Sequence, residues 1–335
     1  MAKEPKAPAA VTSADVARLA GVSRATVSFV LNNTQAHRVS DATRARVLDA
    51  ARQLDYVPHA AARSLRAGRS NLVLVPASVS AAGRLVSAWV DDLESELERH
   101  GYVLVLHAGR FPDPVRAARA WAELRPAAVV ALDGDGLTGQ AVEVLGRAGV
   151  RGVIAFGSRE VAGAHLVGLD QTRVGALAAE HLVARGRRTL GVVMPQERGL
   201  ATFARPRLAG AQGVAARSTA TVTPVELSYS LESAAELAGR WRESGLDGVF
   251  AYNDEYAALL MHALRGAGLA VPEDVAVVGC DDLVLSGMQQ PPLTSVRLDL
   301  PTPAEVADAL HELVDGGTAP QVRGVTPVLV QRQSS

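Results

Sequence analysis

The chain has 335 residues, 48% of them hydrophobic, with 34 Lys or Arg against 35 Asp or Glu and a formal net charge of −1. That length is too great for one small domain and suits a small domain joined to a large one. A single cysteine, Cys280, excludes an intramolecular disulfide and fits a reducing compartment, no 18-residue apolar run offers a membrane span, and residues 1–10 lack the apolar core of a signal peptide.

The charge is unevenly placed. Residues 1–70 hold eleven Lys or Arg against five Asp or Glu, a net of +6, so residues 71–335 carry −7. A basic head on an acidic body suits contact with phosphates through one end, although scattered solvated charges produce the same surplus.

Residues 1–10 are polar, rich in Pro and Ala, and read as a disordered tail. Residues 11–31 then code for two short helices joined by a glycine turn. Thr12 can cap the first helix, with Asp15 three residues on as in a capping box, and Val16 and Leu19 form its apolar stripe. Gly21-Val22-Ser23 supplies the turn and Ser23 the next cap, after which Val27, Val30 and Leu31 face inward at helical spacing. Arg24, Ala25, Ser28 and Phe29 remain outward. A helix-turn-helix needs this arrangement, because its second helix lies in the DNA major groove and offers its early residues to base edges. An alanine-rich helical hairpin would share the pattern.

Ser40 opens a third helix with Val39 as its staple, and Val47, Leu48, Ala51 and Leu54 form its buried stripe. Pro58 suits the first turn of a further short helix, which Gly68 ends. It exposes Leu65 beside Arg63 and Arg66. That combination fits a minor-groove wedge, in which the leucine parts a base step and the arginines meet phosphates. A linker helix with one stray leucine is the plainer reading.

In residues 11–70 the runs Val11-Thr12, Asp15-Val16-Ala17, Ala20-Gly21-Val22-Ser23, Thr26-Val27-Ser28, Val30-Leu31-Asn32, Val39-Ser40 and Tyr56-Val57-Pro58, with Ala62-Arg63-Ser64-Leu65, resemble the headpiece of the LacI/GalR family of bacterial transcription regulators. The resemblance implies that Arg24, Ala25 and Phe29 sit where the family contacts bases, and that Leu65 is the hinge leucine. The chain departs from the family at Phe29, which can touch a thymine methyl but cannot hydrogen-bond, where some members carry a polar or basic residue. The expected DNA-contacting set is Ser23, Arg24, Ala25, Thr26, Ser28, Phe29 and Asn32 in the headpiece, with Arg63, Leu65 and Arg66 in the hinge.

From residue 71 onward strands and helices alternate. Strands are expected at Asn71–Val75, Tyr102–His107, Ala127–Leu132, Val150–Phe156 and Val167–Leu169, then at Leu190–Met194, Thr223–Leu227, Gly248–Ala251 and Val275–Gly279. Helices are expected at Leu85–Glu98, Arg116–Leu124, Gln140–Arg147, Val174–Arg185, Arg207–Arg217, Leu231–Ser244 and Glu255–Gly266. Such βαβ repetition over two halves implies parallel sheets covered by helices, with a cleft at the carboxyl ends of their strands.

Val167-Gly168-Leu169-Asp170, Arg207-Leu208-Ala209-Gly210, Phe250-Ala251-Tyr252-Asn253-Asp254, Val278-Gly279-Cys280-Asp281-Asp282 and Pro292-Leu293-Thr294-Ser295-Val296 extend the resemblance across most of the chain. It implies an α/β fold with a helix-turn-helix headpiece and hinge helix, joined to a two-lobed periplasmic-binding-protein-like core. The chain should cross between lobes near Gly168–Thr172, Ser295–Leu298 and Val322–Thr326. The domains are then a tail (1–10), a helix-turn-helix domain (11–57), a hinge helix and linker (58–70) and an effector-binding and dimerisation domain (71–335). In the family, residues matching Arg207, Asn253 and Asp281 contact the small molecule. Arg207 can offer a planar fork of donors to a carboxylate or paired hydroxyls, Asp281 can accept from two hydroxyls, and Asn253 can do both. A structural salt bridge or helix cap is the alternative for Arg207 and Asp281, and Asn-Asp before a helix is also a good N-cap. Asp170 ends a crossover strand and reads more readily as structural, and Phe203, Tyr252, Trp89 and Phe111 are candidate walls that core positions would equally explain. Where sugar- and purine-binding members often carry an aromatic pair, this chain has Leu85-Val86.

Two alternatives share parts of this pattern. A secreted solute-binding protein has the same body, but would need a signal peptide where this chain has a helix-turn-helix. Gly134-Asp135-Gly136-Leu137-Thr138-Gly139 is a G-x-G-x-x-G between a strand and a helix, which could cradle a dinucleotide as in an NAD-dependent oxidoreductase, although Asp133 and Asp135 crowd the phosphate position. The reading favoured is a cytoplasmic, homodimeric regulator that binds a pseudo-palindromic double-stranded operator and a small-molecule effector such as a sugar, with no membrane partner, catalytic residue, cofactor or metal.

Overall fold

The computed structural model describes residues 11–31, 39–57, 70–76, 83–109, 111–197 and 199–335. The chain divides into two units, Met1–Ser70 and Asn71–Ser335. The expected tail (1–10), the loop after Leu31 including Asn32, and the hinge segment with Arg63, Leu65 and Arg66 lie outside the described residues.

The first unit contains helices α1 (Ser13–Ala20), α2 (Arg24–Leu31) and α3 (Asp41–Gln53). The Asp15 carboxylate accepts from the Thr12 N–H at 3.0 Å and the Thr12 hydroxyl at 2.6 Å, closing the first turn of α1. Gly21 takes φ 65°, the left-handed conformation that reverses the chain after α1. Ser23 Oγ accepts from the Thr26 N–H at 3.1 Å to start α2, and Ser40 Oγ does the same for Thr43 in α3 at 3.3 Å. The core joins Val16, Ala17, Ala20, Val27, Val30, Val47, Ala50 and Ala51. Leu19 and Leu48 were expected in this stripe but stand 51% and 41% exposed. The contact faces are built instead on Ala17, Ala20 and Ala50, whose small side chains let the helices approach closely and turn both leucines outward.

The second unit begins with β1 (Leu72–Pro76), α4 (Arg84–Arg99), β2 (Val103–His107), α5 (Pro114–Glu123), β3 (Ala128–Ala131), α6 (Gly139–Arg147), β4 (Gly152–Gly157) and β5 (His165–Gly168). These strands form a five-stranded parallel sheet in the order β2-β1-β3-β4-β5. Next come α7 (Gln171–Ala184), β6 (Thr189–Pro195), α8 (Ala201–Ala215), β7 (Thr221–Leu227), α9 (Leu231–Gly239), α10 (Trp241–Ser244), β8 (Gly248–Phe250), α11 (Asp254–Gly266), β9 (Ala276–Cys280), α12 (Val284–Met288), β10 (Thr294–Asp299), α13 (Pro303–Asp315) and β11 (Thr326–Val330). The second sheet has the order β11-β10-β9-β8-β6-β7, with only β11 antiparallel to its neighbour.

The chain passes between the lobes three times. The first crossing follows β5, where the Val325 N–H donates to the Gly168 carbonyl at 2.6 Å and so ties the third crossing to the first. The second crossing was expected at Ser295–Leu298, but those residues lie inside β10, and the chain leaves only at its end. Helix α13 then returns to the first lobe, where Trp89 Nε1 donates to the Pro301 carbonyl at 2.8 Å and His100 meets Asp308 at 2.9 Å.

Two helices differ from expectation. The segment expected as one helix over Leu231–Ser244 breaks after Gly239 into α9 and α10. Helix α8 begins at Ala201, ahead of the expected Arg207, and carries Pro206 inside it. Pro206 lacks the N–H that would donate one turn back, yet the helix runs unbroken through it.

The glycine motif at 134–139 serves packing. A Cβ on Gly134 would stand 2.6 Å from the Phe156 carbonyl oxygen, so the glycine lets this turn touch β4. Asp135 is filled by Ser158, whose N–H donates to it at 2.8 Å, and Thr138 caps α6 by accepting from the Ala141 N–H at 3.2 Å. The turn therefore presents a satisfied carboxylate and a capped helix start where a pyrophosphate would need free N–H groups.

Candidate DNA-reading helix and effector cleft

In α2, Ser23, Arg24 and Ala25 are exposed, and Thr26, Ser28 and Phe29 are half-exposed. Ser23 and Thr26 also bond to each other, their hydroxyls 2.9 Å apart, which leaves one hydroxyl hydrogen between them unspent. Arg24, Ala25 and Phe29 lie on the same outward side, with Val27 and Val30 buried on the other.

In the second unit a cleft of about 790 Å³ opens between the two lobes. Its walls come from residues at or just past the carboxyl ends of the strands: Pro76, His107, Asp133 and Phe156 on one side, Glu197, Tyr229, Tyr252 and Asp281 on the other. Ligands of open parallel sheets bind in this position. Leu85, Val86, Phe111 and Phe203 add apolar surface. Trp89 stays in the core, edge-on to Phe156 at 5.4 Å.

Arg207 is 5% exposed and lines the cleft from α8. Its place depends on two glycines. A Cβ on Gly175 of α7 would collide with the Arg207 carbonyl, and one on Gly210 would collide with the Thr172 carbonyl. The backbones of α7 and α8 thus touch, which brings Arg207 beside Gln171. Arg207 Nε donates to Gln171 Oε1 at 2.7 Å, and Nη1 donates to the Tyr252 carbonyl. The guanidinium also lies over the Tyr252 ring, 5.0 Å from its centroid. Two edges of the expected fork are thus spent on the protein, so Arg207 is held as a fixed donor and not offered as a free bidentate clamp. Gln171, buried and part of the cleft wall, was absent from the sequence-derived set; its place at the helix start after a crossing was its only signal.

Asp281 faces the same cleft and adopts φ 99°, followed by Asp282 at φ 52°. Its side chain keeps contact with solvent, yet desolvation in the cleft raises its pKa above the ordinary carboxylate value, against the pull of Arg207. Asn253 also reaches the cleft but is only 3% exposed. Its Oδ1 accepts from the Tyr256 N–H at 3.0 Å and its Nδ2 donates to Glu255 at 3.2 Å, so its polar atoms cap α11. Asp170 stands outside the cleft lining and caps α7, accepting from the Thr172 and Arg173 N–H groups at 2.9 and 3.0 Å. Phe203 and Tyr252 are walls as expected.

Aromatic residues unforeseen in the sequence complete the second lobe's wall. The Tyr229 and Tyr256 rings lie 5.2 Å apart, and Tyr252 meets Tyr256 edge-on at 5.6 Å. The Tyr256 hydroxyl donates to Glu197, which also accepts from the Tyr229 N–H at 2.5 Å. Desolvation pushes the Glu197 pKa up, but these two bonds outweigh it and hold the carboxyl below its usual range. The lobes meet across the cleft where the Thr202 hydroxyl donates to Asp133 at 2.5 Å.

The headpiece and the body each match a family model. Residues 12–59 match that of bacterial regulatory proteins of the lacI family, and residues 179–335 match a periplasmic binding protein-like domain. The HTH-type transcriptional repressor PurR of Vibrio parahaemolyticus is 31% identical, over 85% of this chain and 86% of its own length. The chain belongs to the LacI family. The HTH-type transcriptional regulator GntR of Pseudomonas aeruginosa is 32% identical over 90% of this chain and 89% of its own. Among solved structures, the lac repressor dimer bound to operator and the anti-inducer ONPF shares 26% identity, with a TM-score of 0.72 over 97% of this chain and 99% of that one. The transcriptional regulator CelR in complex with cellobiose shares 26%, with a TM-score of 0.62 over 97% and 100%. As a member of the LacI family this protein is a DNA-binding transcription regulator and not an enzyme. No helix among the described residues is long and apolar enough to cross a membrane.

Proposed function

We propose that this protein is a repressor that binds a pseudo-palindromic operator as a homodimer in the cytoplasm, and that a small polar metabolite of the sugar class sets its operator affinity from the cleft. The observation that carries this reading is that Arg207, a fixed donor, and the Asp281 carboxyl line one aromatic-walled cleft, in a chain that also bears a lacI-family helix-turn-helix. Hydroxyl groups are both donors and acceptors, and that pair offers one of each. The operator-bound lac repressor and the cellobiose-bound CelR support the two halves of the reading.

Arg24, Ala25 and Phe29 would read bases in the major groove, with Ser28 beside them, and Arg63, Leu65 and Arg66 would engage the minor groove. A single short helix reads few bases, and two-fold symmetry doubles the site. The effector would act through its different affinity for two closure states of the lobes. Selection of genomic fragments on the purified protein, followed by sequencing, tests the first half: a shared two-fold motif is expected, and recovery of random sequence would overturn it. Titrating the selected operator with glucose, galactose, ribose, cellobiose and gluconate, beside hypoxanthine as a purine control, tests the second half: a response to one of the first five is expected, and a response to hypoxanthine alone or to none of them would overturn it.

A further inference from the structure

Asp254 is a buried acid that the cleft does not use. It is the first residue of α11, wholly buried, and absent from the cleft wall. Its two oxygens tie the start of α11 to the turn that carries Asp281 and to β10. Oδ2 accepts from the Leu283 N–H at 2.7 Å, and Oδ1 accepts from the Ser295 hydroxyl at 2.6 Å. Ser295 Oγ in turn accepts from the Asp282 N–H at 3.0 Å, and the Asp281 N–H donates to the Val296 carbonyl at 2.8 Å. Three consecutive N–H groups, at 281, 282 and 283, are thus held by three fixed acceptors. Gly279 makes the room, because a Cβ there would collide with Asp254 Oδ1.

Such a cradle answers a local cost. Asp281 and Asp282 both take positive φ, at 99° and 52°, a conformation that non-glycine residues adopt only where surroundings impose it. Without the cradle the turn would relax to negative φ and swing the Asp281 side chain to a different place. Asp254 is itself outside the cleft lining, although its neighbours Asn253 and Glu255 are part of it, and its bonds reach the turn whose Asp281 faces the cleft.

We propose that Asp254 is the positioning residue of the effector site: it pins the left-handed Asp281–Asp282 turn and so aims Asp281 into the cleft. The proposal rests on the effector reading above only in its second consequence, the binding of ligand; the first, the fixing of the turn, stands independently of it.

The test uses the full chain as wild type, Asp254→Asn and Asp254→Ala; Asp282 is left intact because its carboxylate also accepts from Arg332 Nη2 at 2.6 Å. Amide exchange is followed by mass spectrometry on the peptide spanning 278–286, beside peptides from β8, β9 and the rest of α11. In Asp254→Ala, exchange at 281–283 should quicken at least tenfold while the other peptides keep wild-type protection, and Asp254→Asn, which retains an acceptor for Leu283, should fall between. Wild-type exchange at 281–283, or an equal rise in all the peptides, would overturn the proposal. In parallel, affinity is measured for whichever of glucose, galactose, ribose, cellobiose, gluconate and hypoxanthine binds the wild type best. It should drop at least tenfold in Asp254→Ala and less in Asp254→Asn. Unchanged affinity in Asp254→Ala would also overturn the proposal. If the wild type binds none of the six, the effector reading falls and the exchange data alone decide the role of Asp254.

Discussion

Arg24 stands exposed at the first position of α2, where a guanidinium can form a paired contact with a guanine edge. Arg24→Ala is expected to weaken operator binding by about 1–3 kcal/mol and to relax selectivity at one base. Competition between operator and random DNA checks this, and equal loss on both would reduce Arg24 to a phosphate contact. Asp254 bears on acid–base behaviour. Burial lifts its carboxyl from 3.8 to about 7; the bonds from Ser295 and Leu283 oppose the lift, and the nearby Asp281 charge adds to it. Cys280 beside it and Arg207 from α8 complete its titratable surroundings. Between about pH 4 and pH 7 the folded protein keeps a proton here that the unfolded chain has released. The stability this confers is complete below pH 4 and lost as pH rises through about 7, of order 4 kcal/mol in all. Melting temperature should therefore fall from pH 5 to pH 8 in wild type, and the fall should shrink in Asp254→Asn. Single residues were the least legible level of the sequence. The types at 207, 253 and 281 announce polar chemistry; Asn-Asp before a helix already allows Asn253 a capping role and Asp170 a structural one, and both side chains are helix caps. Gln171 could not be found from its sequence neighbours, because its partner Arg207 is 36 residues away.

At the level of elements, α7 and α8 show how much a missing side chain can decide. Gly175 and Gly210 let the two backbones touch, and that contact delivers Arg207 to Gln171. Gly210→Ala inserts a methyl group where the Thr172 carbonyl already lies, and overpacking of this kind costs about 1–3 kcal/mol. Calorimetry should show the lower melting temperature, and effector titration should show weakened response as α8 shifts; a variant that melts like wild type would mean the helices can part without cost. Strands and helices through β9 were mostly legible, because βαβ units repeat apolar strands and amphipathic helices between turn residues. The misses have separate causes. Pro206 masked the start of α8, and Gly239 broke a run that periodicity alone joins. Helix α13 carries a full set of signals, with Thr302 and Glu305 as a capping box and Gly316 at its end, but follows the last βα unit that was read.

For the whole molecule, the two-lobed plan was legible from the alternation restarting at residue 190, and it places a cleft before any residue is assigned to it. What alternation does not encode is how the lobes approach each other. In the structure they are joined over the cleft by the bond from Thr202 to Asp133, and Gly83 at the start of α4 lies so near Asn253 that a Cβ there would stand 3.1 Å from its amide. These contacts have a kinetic meaning. The bond from Thr202 to Asp133 spans the two lobes, and a molecule is expected to enter the cleft only after that bond opens, so that association does not climb indefinitely with concentration. Stopped-flow traces from the cleft tyrosines should level off at a plateau equal to the opening rate. Thr202→Val keeps the shape but removes the bond to a charged acceptor, worth about 1.5 kcal/mol, which should raise the plateau roughly tenfold. A rate that stays linear in wild type would mean that entry needs no opening. If the plateau is there, one hydroxyl sets a ceiling on how fast the regulator can respond to a sudden change in its surroundings.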